Sequence, residues 1–206
     1  MHVLQAAEVS VDWVFAYGSL IWNPEFDYSR SELGRLHGYH RAFCVRSSHY
    51  RGTPEQPGIV LGLDRGGSCT GMVFQLTAAH RARSIAKLFA REMPSATARV
   101  YLPRIVRVHL QSGLSVRALT FVADPSTGAY AKLSDGEIVA RMARCCGIRG
   151  PNVDYLFNTI RALERHGVHD RMLARLELLA QQHQLLLAAG SRDQSLIINS
   201  DLERNV

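Results

Sequence analysis

One carboxylate, Glu92, sits where ionisation is costly. It follows Ile85, Leu88 and Phe89 by seven, four and three residues, on the apolar stripe of a helix predicted over Thr77 to Met93. A charge on such a stripe must be paired, protonated or put to use. Partial burial raises a carboxyl pKa toward neutrality, where a proton-transfer group has to work. Two expectations therefore stand together: acid–base chemistry, or an ion pair at the edge of the stripe with Arg99 or Arg104. Arg83, Lys87 and Arg91 run along another side at i,i+4 spacing and are expected to form a solvated face.

A second group of residues could meet that carboxylate. Val14-Phe15-Ala16-Tyr17 is a short β-prone run that breaks at Gly18-Ser19 and resumes with Leu20, Ile21 and Trp22. Gly18 permits unusual dihedrals and the close approach of another group. Successive N–H groups in such a turn can converge on an anion or a carbonyl oxygen. The plainer reading is a strand and tight turn inside a core. Tyr155 and Asn152 open a helix after the turn Gly147 to Pro151, and a buried tyrosine hydroxyl needs a partner. Arg46, Ser47, His49 and Arg51 form another polar segment, in which an arginine fork could bind a carboxylate.

Other chemistries find no foothold. Cys44, Cys69, Cys145 and Cys146 make no C-x-x-C pair, so buried free thiols are expected rather than disulfides or zinc. His37, His40 and His49 do not form a ligand set. Ser19 lacks the G-x-S-x-G elbow, and neither nucleotide-binding glycine motif is present. The expectation is no metal and no organic cofactor.

The elements that would position these residues can be read in order. Pro24 to Arg35 reads as a polar loop with a short helical piece. Leu36 to Ser47 reads as a long strand with an irregularity at Gly38. Ile59 to Leu63 and Thr70 to Leu76 read as strands joined by a hairpin turn at Gly66-Gly67. Further strands are predicted at Arg104 to Leu110 and Val116 to Val122. Then the chain turns helical: Ser134 with Glu137 makes a capping box and Gly147 a stop, Asn152 caps a helix closed by Gly167, and Asp170 caps one reaching about Ala189. The expectation is one α+β domain over residues 11–189, a small and mostly antiparallel β-barrel with flanking helices, followed by a C-terminal tail at 190–206.

With 206 residues, 47% of them hydrophobic, the chain can bury a substantial core. Its formal charge of +6 invites an anionic partner, but the arginines are scattered and no nucleic-acid motif appears. A small anionic substrate fits the charge as well. No apolar run approaches the roughly 18 to 20 residues needed to span a bilayer, and Met1 to Glu8 does not read as a signal peptide. A cytoplasmic protein without membrane partners is expected.

In combination, several segments resemble the ChaC-like gamma-glutamylcyclotransferases. They are V-F-A-Y-G-S-L-I-W-N-P from Val14, G-Y-H-R-A-F-C from Gly38, H-Y-R-G-T-P-E-Q-P-G from His49 and G-L-D-R-G-G-S-C-T-G-M from Gly62. R-E-M at Arg91 to Met93, Y-L-P-R at Tyr101 to Arg104 and G-P-N-V-D-Y-L from Gly150 complete the set. The resemblance runs from about Val14 to about Leu173 and implies a compact barrel-like fold. It further implies cyclotransfer on glutathione, giving 5-oxo-L-proline and L-cysteinylglycine without a cofactor. The family's catalytic glutamate falls on Glu92, its substrate-binding loop on Tyr17, Gly18, Ser19 and Leu20, and its late tyrosine on Tyr155. The segment Met93 to Ala98 departs from the glycines and tyrosine that the familiar animal type carries there. Other gamma-glutamyl amines as substrates, or a ligand-binding module without catalysis, remain alternatives; the oligomeric state is open.

Overall fold

The computed structural model describes residues 3–93 and 100–184. Strand β1 (Trp13–Ala16) forms from the apolar run before the Gly18-Ser19 turn, and three of its four residues are buried. It is joined by β2 (Tyr28–Ser47), β3 (Gly58–Leu76), β4 (Tyr101–Leu110) and β5 (Ser115–Ala123) in a closed barrel of order β1-β3-β2-β4-β5. Pairings are antiparallel except between β1 and β5, where Trp13 meets Ala118 and Val14 meets Leu119 in parallel. Closure pairs each strand on both sides for part of its length, and the inward positions fill with side chains. Val14, Ala16, Ile59, Val73, Val108 and Leu119 are wholly removed from water.

Two strand assignments change. The polar stretch after Asp27 is not a loop: β2 begins at Tyr28, and its first residues pair with the end of β3, Tyr28 opposite Leu76 and Ser31 opposite Phe74. Most of these residues are exposed on both faces, so the alternation that betrays a half-buried strand is missing. Nor do Gly66-Gly67 make a hairpin. β3 runs unbroken for 19 residues alongside β2. At φ of 92° and 68° the two glycines face Gly38, at 85°, and the register slips there by one residue, from His37 opposite Ser68 to Tyr39 opposite Arg65. Some bulges use left-handed residues just as a tight turn does, so a glycine pair can mark either. Here it bends a long two-stranded ribbon.

Helix α1 (Arg81–Glu92) follows a short 3-10 turn and buries Ser84, Ile85 and Leu88 against the barrel. In α2 (Asp135–Arg144) the expected capping box is present, Ser134 Oγ accepting from the Glu137 N–H while the Glu137 carboxylate accepts from Ser134. That helix stops at Arg144, before Gly147, because the chain turns into a two-residue ladder, β6 (Cys146–Gly147) with β7 (Gly150–Pro151). All four cysteines are free, with only Cys146 exposed.

Helix α3 (Asn152–Glu164) ends as expected at Gly167, whose φ is 70°. Asn152 does not cap it. Its buried amide instead accepts from Ile59 N–H at 2.7 Å and donates to Ile59 O at 2.8 Å, mimicking a strand neighbour for β3. Asp170 does cap α4, described over 171–184: its Oδ1 accepts from the N–H groups of Met172 and Leu173. The expected continuation of this helix to about Ala189 and the tail at 190–206 lie outside the described residues. Among the described residues no helix is long and apolar enough to cross a membrane.

Candidate active site

Beyond the end of β1 the chain folds into a single 3-10 turn, Ser19–Ile21, closed by Ile21 N–H to Gly18 O at 2.9 Å. Tyr155, from the first turn of α3, brings its hydroxyl against this turn. Burial pushes its pKa up to about 12, and the backbone of Ser19 and Leu61 opposes the rise. The contact explains Gly18: a Cβ there would lie 2.7 Å from the Tyr155 oxygen. The φ of Gly18, −138°, is outside the left-handed region, so close approach rather than dihedral freedom requires the glycine.

Glu92 arrives from the opposite side, as the last residue of α1. Phe89, one turn earlier, packs edge-on against Phe121 of β5 at 5.4 Å and fixes the helix end over the barrel. Met93 closes the helix with its N–H on Phe89 O; Pro94, the expected stop, lies outside the described residues. The Glu92 side chain is 15% exposed. Burial drives its pKa up, and the positive charges of Arg91 and Arg149 oppose the rise without cancelling it. A carboxylate at a helix C-terminus also faces the negative end of the helix dipole.

Two cavities share Glu92 in their walls. A small inner chamber of about 30 Å³ is lined by Tyr17, Gly18, Ser19, Leu20, Leu61, Tyr101, Glu92 and Tyr155. An outer cavity of about 210 Å³ continues past Trp22, residues 45–51, Val60 and Arg149. Ser19, Glu92, Tyr101 and Tyr155 line both. Tyr17 donates to Phe121 O at 2.8 Å and Tyr101 to Leu61 O at 2.9 Å. Burial holds both phenols well above their ordinary pKa, with neighbouring tyrosines and Glu92 adding to the effect. All three tyrosines are therefore neutral at physiological pH. Among the described residues of the inner chamber, Glu92 is the group able to exchange a proton there.

The sequence-predicted residues fall in different places. Tyr17, Gly18, Ser19, Leu20, Tyr155 and Glu92 converge on the inner chamber. Arg46 lines the outer cavity, but its guanidinium donates to Gly128 O and Tyr130 O, tying β2 to the loop after β5. Arg51 is buried, donates to Pro151 O and lies over the Tyr155 ring at 5.7 Å. Arg104 bonds Pro103 O, and Arg99 lies outside the described residues.

Arg91 overturns its expected place on a solvated face. Its side chain is only 8% exposed and turns back across the helix end. Nε lies 3.2 Å from Glu92 Oε1, Nη1 2.7 Å from Asn23 O and 3.0 Å from Glu25 Oε2, and Nη2 2.9 Å from Ser19 Oγ. At the last turn of a helix, side chains no longer follow the interior periodicity if a neighbouring loop supplies acceptors. Asn23 to Glu25 does so here. Tyr101 and Arg149 were also missed as cavity residues. Each stood in plain view as part of a motif, but nothing local marks a tyrosine at a strand start or an arginine in a glycine-rich turn as lining a pocket.

Comparison with known proteins agrees with this architecture. The chain is 36% identical over 159 residues to the glutathione-specific gamma-glutamylcyclotransferase of Escherichia coli, covering 77% of this chain and 68% of that protein. It is 35% identical to glutathione-specific gamma-glutamylcyclotransferase 1 of Danio rerio, over 86% of this chain and 93% of that one. Its fold is similar to a crystal structure of the gamma-glutamyl cyclotransferase specific to glutathione from yeast, with a TM-score of 0.75, 22% identity and coverage of 84% and 97% of the two chains. The family model described as ChaC-like protein matches residues 12–183, and the chain belongs to that family.

Proposed function

We propose that this protein is a glutathione-specific gamma-glutamylcyclotransferase, with Glu92 as general base and then general acid. The observation that carries the reading is the inner chamber, in which a mostly buried carboxylate of raised pKa, 15% exposed, meets a backbone turn and three neutral phenols. The names borne by the E. coli and zebrafish relatives support glutathione as the substrate.

In the reaction the substrate's own alpha-amine attacks its gamma-carbonyl and closes a five-membered lactam. The amide bond to cysteine breaks, releasing 5-oxo-L-proline and L-cysteinylglycine. Because nucleophile and electrophile share one molecule, no enzyme nucleophile is needed and most of the entropic cost of encounter is avoided. Glu92 relays two protons in turn, taking each from the attacking nitrogen and passing it to the leaving nitrogen. The ammonium thus becomes a lactam N–H, the leaving group departs as an ammonium and the enzyme ends as it began. Tyr17, Gly18, Ser19 and Leu20 shape the end that receives the gamma-glutamyl group, where N–H groups of the turn stabilise charge on the carbonyl oxygen. Tyr155 braces that turn. The outer cavity, with Arg46 in its wall, takes the cysteinylglycine portion. One catalytic domain over residues 11–189, a cytoplasmic setting, a cofactor-free reaction and the absence of nucleic-acid or membrane partners belong to the same reading.

Product analysis tests it. Incubation with glutathione should yield 5-oxoproline and cysteinylglycine in equal amounts, with slower turnover of gamma-glutamyl dipeptides. Faster turnover of other gamma-glutamyl amines would reassign the substrate. Saturable binding of glutathione without any product would make the protein a binding module instead.

A further inference from the structure

Two carboxylates share one buried guanidinium at this site. Arg91 reaches Glu92 through Nε at 3.2 Å and Glu25 through Nη1 at 3.0 Å. Glu92 lines both the chamber and the outer cavity, whereas Glu25 lines neither and its side chain is 42% exposed. Glu25 is also held with some effort. Its φ of 56° is the left-handed conformation that a residue with a side chain rarely adopts. Such a conformation persists only where the surroundings over-determine it, and it is commonest at functional sites. The surroundings here are Asn23 Nδ2 and Arg149 Nη2 on Glu25 Oε1, at 2.7 and 3.3 Å, with Arg91 on Oε2. Burial alone would push the Glu25 carboxyl up, but Arg91, Asn23 and Arg149 together hold it below the ordinary range.

We propose that Arg91 is a positioning residue shared between Glu92 inside the cavity and Glu25 outside it, and that Glu25 sets how much of that guanidinium's charge reaches Glu92. The inference rests on the catalytic reading of Glu92 and adds what tunes it. When Glu92 accepts a proton, Arg91 is not stranded, because Glu25 and the Asn23 carbonyl still satisfy it. When Glu92 gives the proton up, Arg91 steadies the anion. A base held by an undivided arginine would be too weak to collect an ammonium proton, and one with no arginine would stay protonated in its apolar surroundings. Among the described residues, the other groups facing Glu92 are Arg149 from the β6–β7 turn and the phenols of Tyr17, Tyr101 and Tyr155. The phenols stay neutral, which leaves the two arginines and Glu25 as the described charges that act on its affinity for a proton.

The two partners should therefore move Glu92 in opposite directions. In Arg91→Met the acid limb of the kcat–pH profile should shift up by about one pH unit, the low end of what a lost opposite charge at this range produces. Arg91→Lys should recover most of that shift. In Glu25→Gln the limb should move down, because both arginines then act on Glu92 alone. Direct titration of the Glu92 carboxyl by carbon-13 NMR, identified by its absence in Glu92→Gln, should show the same two directions without substrate. Unchanged profiles and titrations in folded variants, or shifts of the same sign in Arg91→Met and Glu25→Gln, would overturn the proposal. If Arg91→Met does not fold, the half-exposed Glu25→Gln decides by the sign of its shift. Full turnover in Glu92→Gln would remove the catalytic reading, while the NMR titration would still support or overturn the tuning by the direction of its shifts.

Discussion

Glu92 and Gly18 show how single atoms set the chemistry. Glu92→Gln keeps the shape but cannot accept a proton, so turnover should fall at least about a hundredfold, the lower range for a lost general acid–base group. Stability should change little, because burial already disfavours the charged form and Arg91 retains Glu25, Asn23 and Ser19. Cyclisation rate and thermal melting on one preparation check both halves. Gly18→Ala places a methyl group against the Tyr155 hydroxyl and should cost about 1 to 3 kcal/mol of substrate binding or stability, as overpacking does. The clash is with one oxygen. In a double-mutant cycle, Tyr155→Phe should therefore offset part of the Gly18→Ala defect; strictly additive losses would place the fault elsewhere. Ser19→Ala removes only a side-chain acceptor of Arg91 and should be the mildest of the three.

At the scale of elements, helix α4 is linked to the end of β1 through one ion pair. Arg41, buried in β2, donates to Tyr17 O at 2.6 Å, to Thr70 O at 2.8 Å and to the Asp170 carboxylate that caps α4. Asp170→Asn can keep the cap but leaves the Arg41 charge without its counter-charge. Breaking such a pair costs about 3 kcal/mol, more than the roughly 1 kcal/mol of a lost cap. Asp170→Asn should therefore destabilise the protein nearly as much as Asp170→Ala; denaturant melts that separate the two widely would show the cap to dominate. The ribbon bend makes a companion case. Gly66 has open space around its α-carbon but a φ of 92°, so Gly66→Val should lose stability through backbone strain alone and Gly66→Asn should lose less.

For the whole molecule, pH separates activity from stability. The folded chain holds the Glu92 proton more tightly than the unfolded chain does, so protonation at this group favours the fold as pH falls. On the proposed role of Glu92, activity should move the opposite way, since the protonated acid cannot serve as base. Glu25 has a lowered pKa, and the stability it contributes is present above the ordinary carboxyl range and lost as pH drops through its depressed value. Turnover should thus fade on acidification while the protein is still folded, with the rate profile and the circular-dichroism profile displaced from one another. Coincident loss of the two signals would mean that unfolding, not Glu92, sets the acid limb.

What the sequence alone determined is what local periodicity and local chemistry encode. Glu92 stands on an apolar stripe because positions three, four and seven residues apart share a helix face, whatever the helix packs on. The Ser134 capping box, the Gly167 stop and the Asp170 cap are settled within one turn of chain. The family-specific segments carried the barrel itself. Tertiary structure decided the rest, because the deciding partner came from far along the chain. Gly66-Gly67 became a bulge rather than a hairpin once β2 offered Gly38 opposite. The Asn152 side chain serves the Ile59 backbone, whose N–H and C=O needed partners, instead of capping its own helix. Arg91 turned inward because Asn23 and Glu25, 68 and 66 residues earlier, put acceptors beside the end of α1. A side chain's direction at a helix terminus depends on which groups lie within its reach, and only the closed barrel brings those groups there.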